Sequence, residues 1–378
     1  MGQSLDTITI IGFKSIQELR QFELNKLNVL IGGNGAGKSN FIDLFRMLRA
    51  MMHLSLPGLK QSTLELFFIS YGGFNDFLHK GPKETQQIDI ELKFGLNKYK
   101  FTLSPTADES FVIANEKRYY SGGSTSWWDI DPFDGKNPGL LKEKDKPGVS
   151  GGRSISSYIY EAIDSWRIYH FHDTSNTSGM RRSEIVEDDE YLRFDAANIA
   201  PFLLRLKTEI KEAYEEIVDA VRLVTPFFDD FLLKPRMLGE KKVVNLSWTQ
   251  KGSDYPMQPY HFSDGTLRFI CLATALLQPD PPSTLIIDEP ELGLHPYALH
   301  ILAELIQSAS HRTQCIISTQ SPTFVDHFDP KDIIVVDRKN GASTFERLNA
   351  DDFVQWLEEY SLGDLWRMNV ISGGPSHE

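Results

Sequence analysis

The fold of this chain is decided by the stretch Gly32-Gly33-Asn34-Gly35-Ala36-Gly37-Lys38-Ser39, which has the spacing G-x-x-x-x-G-K-S. An apolar run, Leu27–Ile31, precedes it and is typical of a buried strand. In residues 41–52 the apolar side chains recur every three or four positions, which indicates one face of a helix. A strand, a glycine-rich turn and a helix form the context in which this spacing predicts a loop that binds the phosphates of a nucleotide.

The glycines of this loop allow backbone N–H groups to close around phosphate oxygens, and the helix N-terminus adds partial positive charge. We expect Lys38 to reach the β- and γ-phosphates, and the Ser39 hydroxyl to bind Mg²⁺. The predicted nucleotide-binding residues are Gly32, Asn34, Gly35, Ala36, Gly37, Lys38, Ser39 and Asn40.

A second part of the site is predicted far downstream, where a short apolar strand, Thr284–Asp288, ends in two carboxylates. Successive strand residues point to opposite sides, so Asp288 can serve the Mg²⁺ shell while Glu289 orients and deprotonates the attacking water. The alternative is a strand that ends in a solvated acidic turn. The complete phosphate loop upstream favours the first interpretation.

A third segment, Ser263-Asp264-Gly265-Thr266, stands 25 residues before Asp288 and opens a largely apolar helix. Ser263 is a suitable N-cap, and Gly265 would let a phosphate approach the backbone. Alone this pattern is weak, because any capped helix can show it. Its position between the phosphate loop and Asp288 makes it similar to the signature of ABC ATPases.

The resemblance extends to residues 288–296 (DEPELGLHP), 316–322 (IISTQSP) and 10–15 (IIGFKS), which resemble the RecF/SMC/OLD branch of ABC ATPases. Residues 169–174 and 360–366 are similar to stand-alone bacterial predicted ATPases of the AAA family, single heads without long arms. This resemblance implies ATP and Mg²⁺ as ligands. It also implies a homodimer, or a higher oligomer, in which the signature residues Ser263, Asp264 and Gly265 of one subunit cover ATP held by Lys38 of the other.

The same resemblance assigns Leu294 and His295 to the D-loop and Gln320 to the switch, beside the catalytic Glu289. Gln320 stands where histidine is common and cannot carry a titrating proton, so we expect slow or partner-regulated hydrolysis. His295 stands where the SMC branch often has aspartate. For the glutamine of the Q-loop the candidates are Gln86, Gln87 and, as a substitute, His79.

The predicted fold class is α/β, an ABC-ATPase head whose mixed sheet has an antiparallel N-terminal part, with an α/β lid insertion. We expect an N-terminal lobe in residues 1–105, the insertion in 106–240 and a C-terminal lobe in 241–378. Within them we predict a surface loop in 121–152, one helix of about 24 residues in 201–224 ended by Pro226, a hairpin turn at Asn340-Gly341, and a helix in 351–360. No heptads of a long coiled-coil arm are present.

Two smaller clusters leave alternatives open. His170, His172 and Asp173 could belong to a metal site, but two imidazoles do not close one, so packing and hydrogen bonding are the favoured interpretation. Lys234, Arg236, Lys241 and Lys242 could contact nucleic acid or form a solvated face, which is favoured.

Composition restricts the class of protein. The net charge of −13 argues against a protein that is basic all over, although a local basic groove stays possible. The two cysteines, Cys271 and Cys315, indicate neither a disulfide scaffold nor a zinc site. With no membrane span or signal peptide in the sequence, we expect a soluble, cytoplasmic protein.

Two functions compete on these grounds. The first is an ATP-driven sensor or scaffold for a separately encoded effector, a nuclease or toxin, in bacterial defence against phage. Relatives in this branch often carry a TOPRIM nuclease, and the segment after Val336 is too short for one. The alternative is a DNA-repair or DNA-maintenance ATPase that clamps DNA directly. A transporter subunit is disfavoured by the divergent signature and the large insertion.

Overall fold

The computed structural model describes residues 3–54, 61–123, 126–148 and 152–371. In chain order the strands are β1 (Thr7–Phe13), β2 (Ile16–Glu23), β3 (Leu27–Ile31), β4 (Ile88–Phe94), β5 (Asn97–Pro105), β6 (Phe111–Tyr120), β7 (Trp128–Asp129), β8 (Arg167–Tyr169), β9 (Glu184–Ile185), β10 (Phe228–Phe231), β11 (Arg236–Leu238), β12 (Lys241–Val244), β13 (Trp248–Gln250), β14 (Thr284–Asp288), β15 (Gln314–Ser318), β16 (Ile333–Lys339) and β17 (Ala342–Arg347). The helices are α1 (Lys38–Met51), α2 (Thr63–Ser70), α3 (Leu140–Glu143), α4 (Ile155–Asp164), α5 (Ile199–Glu209), α6 (Lys211–Val224), α7 (Asp264–Leu277), α8 (Pro296–Ser310), α9 (Pro322–Val325) and α10 (Leu362–Arg367).

The centre of the molecule is a six-stranded sheet with the order β17-β16-β3-β15-β14-β8. Its strands are parallel except for β17, which returns antiparallel beside β16. Every residue of β3, β14 and β15 is buried, as expected for parallel strands covered on both faces. Because parallel strands end at the same edge, this sheet brings the ends of β3, β14, β15 and β8 together.

Alternate residues of these strands enter two different cores, as the twofold period of a strand requires. Val29, Ile287 and Ile317 pack with the apolar faces of α5, α6, α7 and α8. Leu30, Ile286 and Ile316 pack on the opposite side with α1 and the second large sheet. The central sheet is therefore the middle layer, with helices on one face and α1 and a sheet on the other.

That second sheet is antiparallel, with the order β2-β1-β4-β5-β6-β7. Strands β6 and β7 continue it beyond residue 105, and β8, at residues 167–169, joins the central sheet. The antiparallel N-terminal part of the predicted fold is thus present. The division at residues 105 and 240 stays a prediction, because these strands cross the proposed boundary between lobe and insertion.

Two predictions of helices are wrong. The helix predicted for 201–224 is interrupted at Ile210, whose φ of −136° and ψ of 67° are not helical, so α5 and α6 are separate. Its apolar spacing continues across the break, which is why periodicity alone could not reveal it. Residues 351–360 form two short 3₁₀ turns, and the last helix is α10. Val354, Trp356 and Tyr360 are exposed, so no buried face stabilises a longer helix there.

Other local predictions have mixed outcomes. The Asn340-Gly341 turn is confirmed, since both residues have positive φ, 54° and 76°, and connect β16 to β17. The stretch 121–152 is not simply a surface loop, because in its described part it contains β7 and α3, with Leu140 fully buried. Among the described residues, no helix has the length and apolar character needed to cross a membrane.

Candidate functional site

The glycine-rich loop between β3 and α1 adopts a conformation that depends on its glycines. Gly32, Gly35 and Gly37 have positive φ values of 153°, 77° and 118°. A Cβ atom at Gly37 would lie 2.1 Å from Oγ of Ser343, and one at Gly32 would lie 2.1 Å from the carbonyl oxygen of Val336. The loop is therefore closely packed against β16 and β17, and only residues without a side chain fit at these two positions.

Hydrogen bonds from residues outside the loop, Ser15 and Ser343, hold it in place. Asn40 Nδ2 donates to Ser15 Oγ at 2.7 Å, and Ser343 Oγ donates to the carbonyl oxygen of Ala36 and lies 2.7 Å from Ser15 Oγ, within hydrogen-bond distance. Asn40 is thus directed toward the turn between β1 and β2. Asn34, Gly35 and Ser39 are exposed at the surface of the loop.

The Lys38 side chain is buried and folds back over the loop. Its Nζ donates to the carbonyl oxygens of Gly32 at 2.6 Å and Gly33 at 3.2 Å. Burial lowers the pKa of Lys38, and the negative charges of Glu289, Asp288 and Glu291 oppose that decrease. The ammonium group therefore lies within the electrostatic field of the acidic residues at the end of β14.

Those acidic residues are arranged by the pairing of β14 with β15, in which Asp288 lies opposite Ser318. Ser318 Oγ donates a hydrogen bond to Asp288 Oδ1, and the N–H of Glu289 donates to the carbonyl oxygen of Ser318 at 3.0 Å. Glu289 has a φ of 45°, which for a non-glycine residue costs about 1–3 kcal/mol. Its carboxylate accepts a hydrogen bond from Gln320 Nε2, so the structure brings Glu289 and Gln320 together.

Glu291 is a residue of this site to which the sequence analysis gave no role. Its Oε1 accepts from Thr319 Oγ1 at 2.6 Å and from the N–H of Gln320 at 2.9 Å. The carboxyl group is buried, its Oε2 has no hydrogen-bond partner among the described residues, and burial raises its pKa. Glu291 thus fixes the backbone that carries Gln320. The acidic pattern DEPE was the only signal for it.

His170 and His172 also belong to this site. They follow β8, which pairs with β14, and their rings are 3.7 Å apart. Nδ1 of His170 lies 3.9 Å from Asp288 Oδ2, and Nε2 of His172 lies 3.2 Å from the carbonyl oxygen of Asp288. Burial, His172 and Arg46 lower the pKa of His170. In the described part of the chain no group of three or more His, Cys, Asp or Glu could hold a metal ion.

The three Q-loop candidates have their contacts elsewhere. Nδ1 of His79 lies 2.8 Å from the carbonyl oxygen of Lys14, and Gln87 Nε2 donates to Asp89 at 2.8 Å on the exposed side of the antiparallel sheet. Gln86 is exposed next to Gln87. None of these three contacts joins a Q-loop candidate to the end of β14. The residues that follow β8, His170 and His172, lie there instead.

The signature segment begins α7. Ser263 caps the helix by accepting from the N–H of Thr266 at 3.1 Å, and both Ser263 and Asp264 are exposed. Arg181, whose side chain is buried, donates to Asp264 Oδ1 at 2.8 Å. A Cβ atom at Gly265 would lie 2.4 Å from the carbonyl oxygen of Gly293, so the signature packs directly on the D-loop of its own chain.

Arg268 joins the signature helix to two other parts of the site. It donates to the carbonyl oxygens of Phe171 at 2.9 Å and His172 at 3.2 Å, and also to that of Leu292. In the D-loop itself, Leu294 N–H donates to the Glu291 carbonyl at 3.1 Å, and His295 is the N-cap of α8. The signature, the D-loop and the β8 end are thus linked by one guanidinium group.

These residues fit an ATP–Mg²⁺ complex. The loop has the positive φ values of a phosphate-binding nest, and Lys38 places a cation next to it. One hydroxyl, from Ser39, and one carboxylate, from Asp288, are the kinds of oxygen donor with which Mg²⁺ is usually bound together with substrate phosphates. Glu289 and Gln320, which we expect to act on the attacking water, are hydrogen-bonded to each other.

Comparison with solved structures agrees with this fold. The chain is similar to the SMC head bound to the C-winged helix domain of ScpA, with a TM-score of 0.54 and 16% identity, covering 93% of this chain and 99% of that one. It is also similar to the Smc head domain with an extended coiled coil bound to the C-terminal domain of ScpA, derived from Pyrococcus furiosus. That comparison has a TM-score of 0.51 and 15% identity, covering 94% of this chain and 99% of that one. None of the curated proteins matches the sequence.

These likenesses confirm the predicted fold class, an α/β head like those of the SMC branch. The family match extends from β3 to the segment just after α9 and therefore includes the glycine-rich loop, the predicted signature segment, β14 and Gln320. This chain belongs to the ATPase family described as "AAA domain, putative AbiEii toxin, Type IV TA system", which matches its residues 27–326.

Proposed function

We propose that this ATPase is a head that dimerises around ATP and controls a separately encoded effector, a nuclease or toxin, in bacterial defence against phage. The family description, which names a toxin and a toxin–antitoxin system, supports the link to an effector. Both of the similar SMC heads are bound to a domain of ScpA, which supports a head that works with a partner chain.

One observation supports the proposed dimer: the predicted signature segment is exposed, and it packs against the predicted D-loop of its own chain. Gly265 packs on Gly293, and Ser263 at the N-terminus of α7 is open to solvent. Lys38, in contrast, lies with Asp288 and Glu289. A second copy can therefore place its Ser263 and Gly265 over nucleotide held by Lys38 and Ser39 of the first.

In this arrangement each residue has a definite task. Lys38 and the loop N–H groups hold the β- and γ-phosphates, and the signature of the other subunit contacts the γ-phosphate through the hydroxyl of Ser263 and the N–H of Gly265. Mg²⁺, held by Ser39 and Asp288, would neutralise phosphate oxygens. Glu289 accepts a proton as water attacks the γ-phosphorus and the bond to the ADP oxygen breaks. Loss of the γ-phosphate, which both subunits contact, weakens the contact between the two subunits.

The variants Glu289→Gln and Lys38→Ala test the nucleotide-dependent dimer. Glu289→Gln replaces the carboxylate with an uncharged amide of similar shape, which cannot accept the proton. This variant is therefore expected to accumulate as an ATP-bound dimer. Lys38→Ala is expected to lose nucleotide binding and stay in the nucleotide-free assembly state. Sedimentation velocity with and without ATP measures both. A Glu289→Gln chain whose assembly does not respond to ATP contradicts the clamp.

The effector is tested separately, by purifying the native chain from its own cells with ATP and identifying bound proteins by mass spectrometry. We expect a stoichiometric nuclease or toxin encoded beside this chain, retained by Glu289→Gln and reduced with Lys38→Ala. Nucleic acid without a protein partner would contradict the effector and favour direct DNA clamping, while leaving the dimer result unaffected.

A further inference from the structure

A cavity lies beside the C-terminal half of α1. Its volume is about 540 Å³, and it is lined by Arg46, Arg49, His53, Phe67, Tyr71 and Phe194; we refer to it as the Arg49 cavity. Arg46 and Arg49 are 8 and 11 residues beyond Lys38 on the same helix. At a rise of 1.5 Å per residue, this places them roughly 12 and 16 Å along the helix from Lys38. The two arginines therefore lie well beyond the phosphate loop.

Positive charge around this cavity exceeds the negative charge that compensates it. Asp43 is shared by Lys14, at 2.6 Å, and Arg46, at 2.8 Å. Asp164 Oδ1 lies 3.4 Å from His53 Nε2, and its negative charge also acts on Arg49. Arg49 and Arg167 add two more guanidinium groups. Arg46 and Arg49 line the cavity. Together with Lys14 and Arg167 they make four cations near three carboxylates, the third being Asp288, which lies 3.9 Å from His170, in a chain whose net charge is −13.

The guanidinium of Arg49 is incompletely satisfied. Its Nε is buried and has no hydrogen-bond partner among the described residues. Burial and the nearby positive charge of Arg167 both lower the pKa of Arg49, whereas Asp164 raises it. A buried donor without a partner is unfavourable, so an anion that reached Arg49 would relieve both the missing hydrogen bond and the repulsion.

Aromatic rings occupy the same walls. Phe194 is 61% exposed and Tyr71 is 40% exposed. A smaller cavity of about 220 Å³ continues past Arg49, Ile168 and Phe194 to Arg167 and Tyr191, where the guanidinium of Arg167 lies 5.1 Å from the Tyr191 ring centre. Exposed rings interleaved with arginines are the combination that stacks bases and pairs with phosphates.

The geometry points to a binding site for a nucleoside phosphate in the Arg49 cavity, with the phosphate on Arg49 and Arg46 and the base against Phe194. A cavity of this size accommodates one nucleotide. The adjoining cavity allows a second unit, so the nucleotide can come from solution or from a single nucleic-acid strand. His170 lines the Arg49 cavity and is also 3.9 Å from Asp288, so the bound ligand would lie next to the ATPase residues.

The test uses the full chain with Lys38→Ala, which removes nucleotide binding at the phosphate loop. Equilibrium dialysis with radiolabelled AMP, and separately with a 5′-phosphorylated single-stranded hexadeoxyadenylate, is performed on this parent and on the added changes Arg49→Gln and Phe194→Ala. Loss of a stacking ring or a guanidinium is expected to weaken binding about tenfold or more. Arg153→Gln, which removes a 60% exposed arginine paired with Glu161, is the matched control and is expected to bind like the parent.

Binding of AMP that is weakened by both changes supports the site and identifies a free nucleotide as sufficient. Binding of the oligonucleotide alone, weakened by both changes, supports the site and identifies a nucleic-acid strand as the source. Absence of binding to either probe, or binding that neither change weakens, overturns the proposal. Because Phe194 is mostly exposed, Phe194→Ala is expected to fold even where Arg49→Gln does not. Binding of the two probes to Phe194→Ala then decides the result.

Discussion

At the scale of single residues, two carboxylates of the DEPE segment have different environments and therefore different roles. Glu289 is half-buried, reaches Gln320 with its side chain and stands on a left-handed backbone. Glu291 is buried and hydrogen-bonds the backbone and side chain of residues 319 and 320. Glu289 is thus the more accessible carboxylate, and we expect Glu291 to act as a positioning residue for Gln320.

Replacing Glu291 tests this positioning role. Glu291→Ala removes the acceptor for Thr319 and Gln320, so the rate of ATP hydrolysis is expected to fall about tenfold, the equivalent of one or two hydrogen bonds. ATP affinity is expected to stay within about twofold of wild type, because Glu291 does not contact the phosphate loop. Glu291→Gln retains an acceptor oxygen and is expected to keep most of the rate. Steady-state kinetics and ATP titrations measure both, and equal loss in the two variants contradicts the role.

At the scale of secondary-structure elements, α7 is fixed at both ends by arginines that bind carbonyl oxygens. Arg268 joins its first turns to the end of β8 and to the D-loop. Arg312 donates to the carbonyl oxygens of Leu276, at 2.8 Å, and Gln278, at 3.2 Å, at the other end. The two arginines have similar bonding, but only Arg268 touches the site.

This pair provides a matched comparison. Arg268→Met leaves three carbonyl oxygens without their donor, so the free energy of unfolding is expected to fall by about 2–3 kcal/mol and ATP turnover to decrease strongly. Arg312→Met is expected to cost less stability, since Arg312 is more exposed, and to leave turnover unchanged. Urea denaturation and ATPase assays distinguish the two effects. Normal turnover in a folded Arg268→Met chain would show that the link between signature and D-loop is dispensable.

At the scale of the whole molecule, the proposed dimer requires each chain to contribute two different halves of a nucleotide site. The phosphate loop with Asp288 and Glu289 would form one half, and the segment at Ser263, which is exposed, would form the other. A symmetric dimer of such chains would contain two complete sites, each composed of residues from both subunits.

Mixing two inactive variants tests this composition. Lys38→Ala lacks the phosphate contact, and Ser263→Glu places a negative charge where the γ-phosphate of the other subunit is expected, so each variant alone should be inactive. A 1:1 mixture is expected to recover about a quarter of the wild-type rate, because half of the dimers are mixed and each has one complete site. ATPase activity as a function of mixing ratio measures this. A mixture as inactive as its components argues that each site belongs to a single chain.

The sequence alone determined the features that depend on neighbouring residues. The glycines at 32, 35 and 37 indicated a phosphate loop, and the structure shows positive φ at each. Apolar runs predicted β3 and β14, and Asn340-Gly341 predicted the hairpin. All of these follow from periodicity or backbone freedom within about ten residues, which is why they could be predicted.

Only the tertiary structure decided which distant residues meet. His170 reaches Asp288 from 118 positions away, Arg268 binds Phe171 across 97, and Glu291 holds Thr319 across 28, because β8, β14 and β15 end at one edge of the sheet. The break at Ile210 could likewise not be predicted from the apolar spacing, because that spacing continues through it. Local periodicity fixes which face of an element is buried but not the order of strands in a sheet, and it is that order that brings these side chains together.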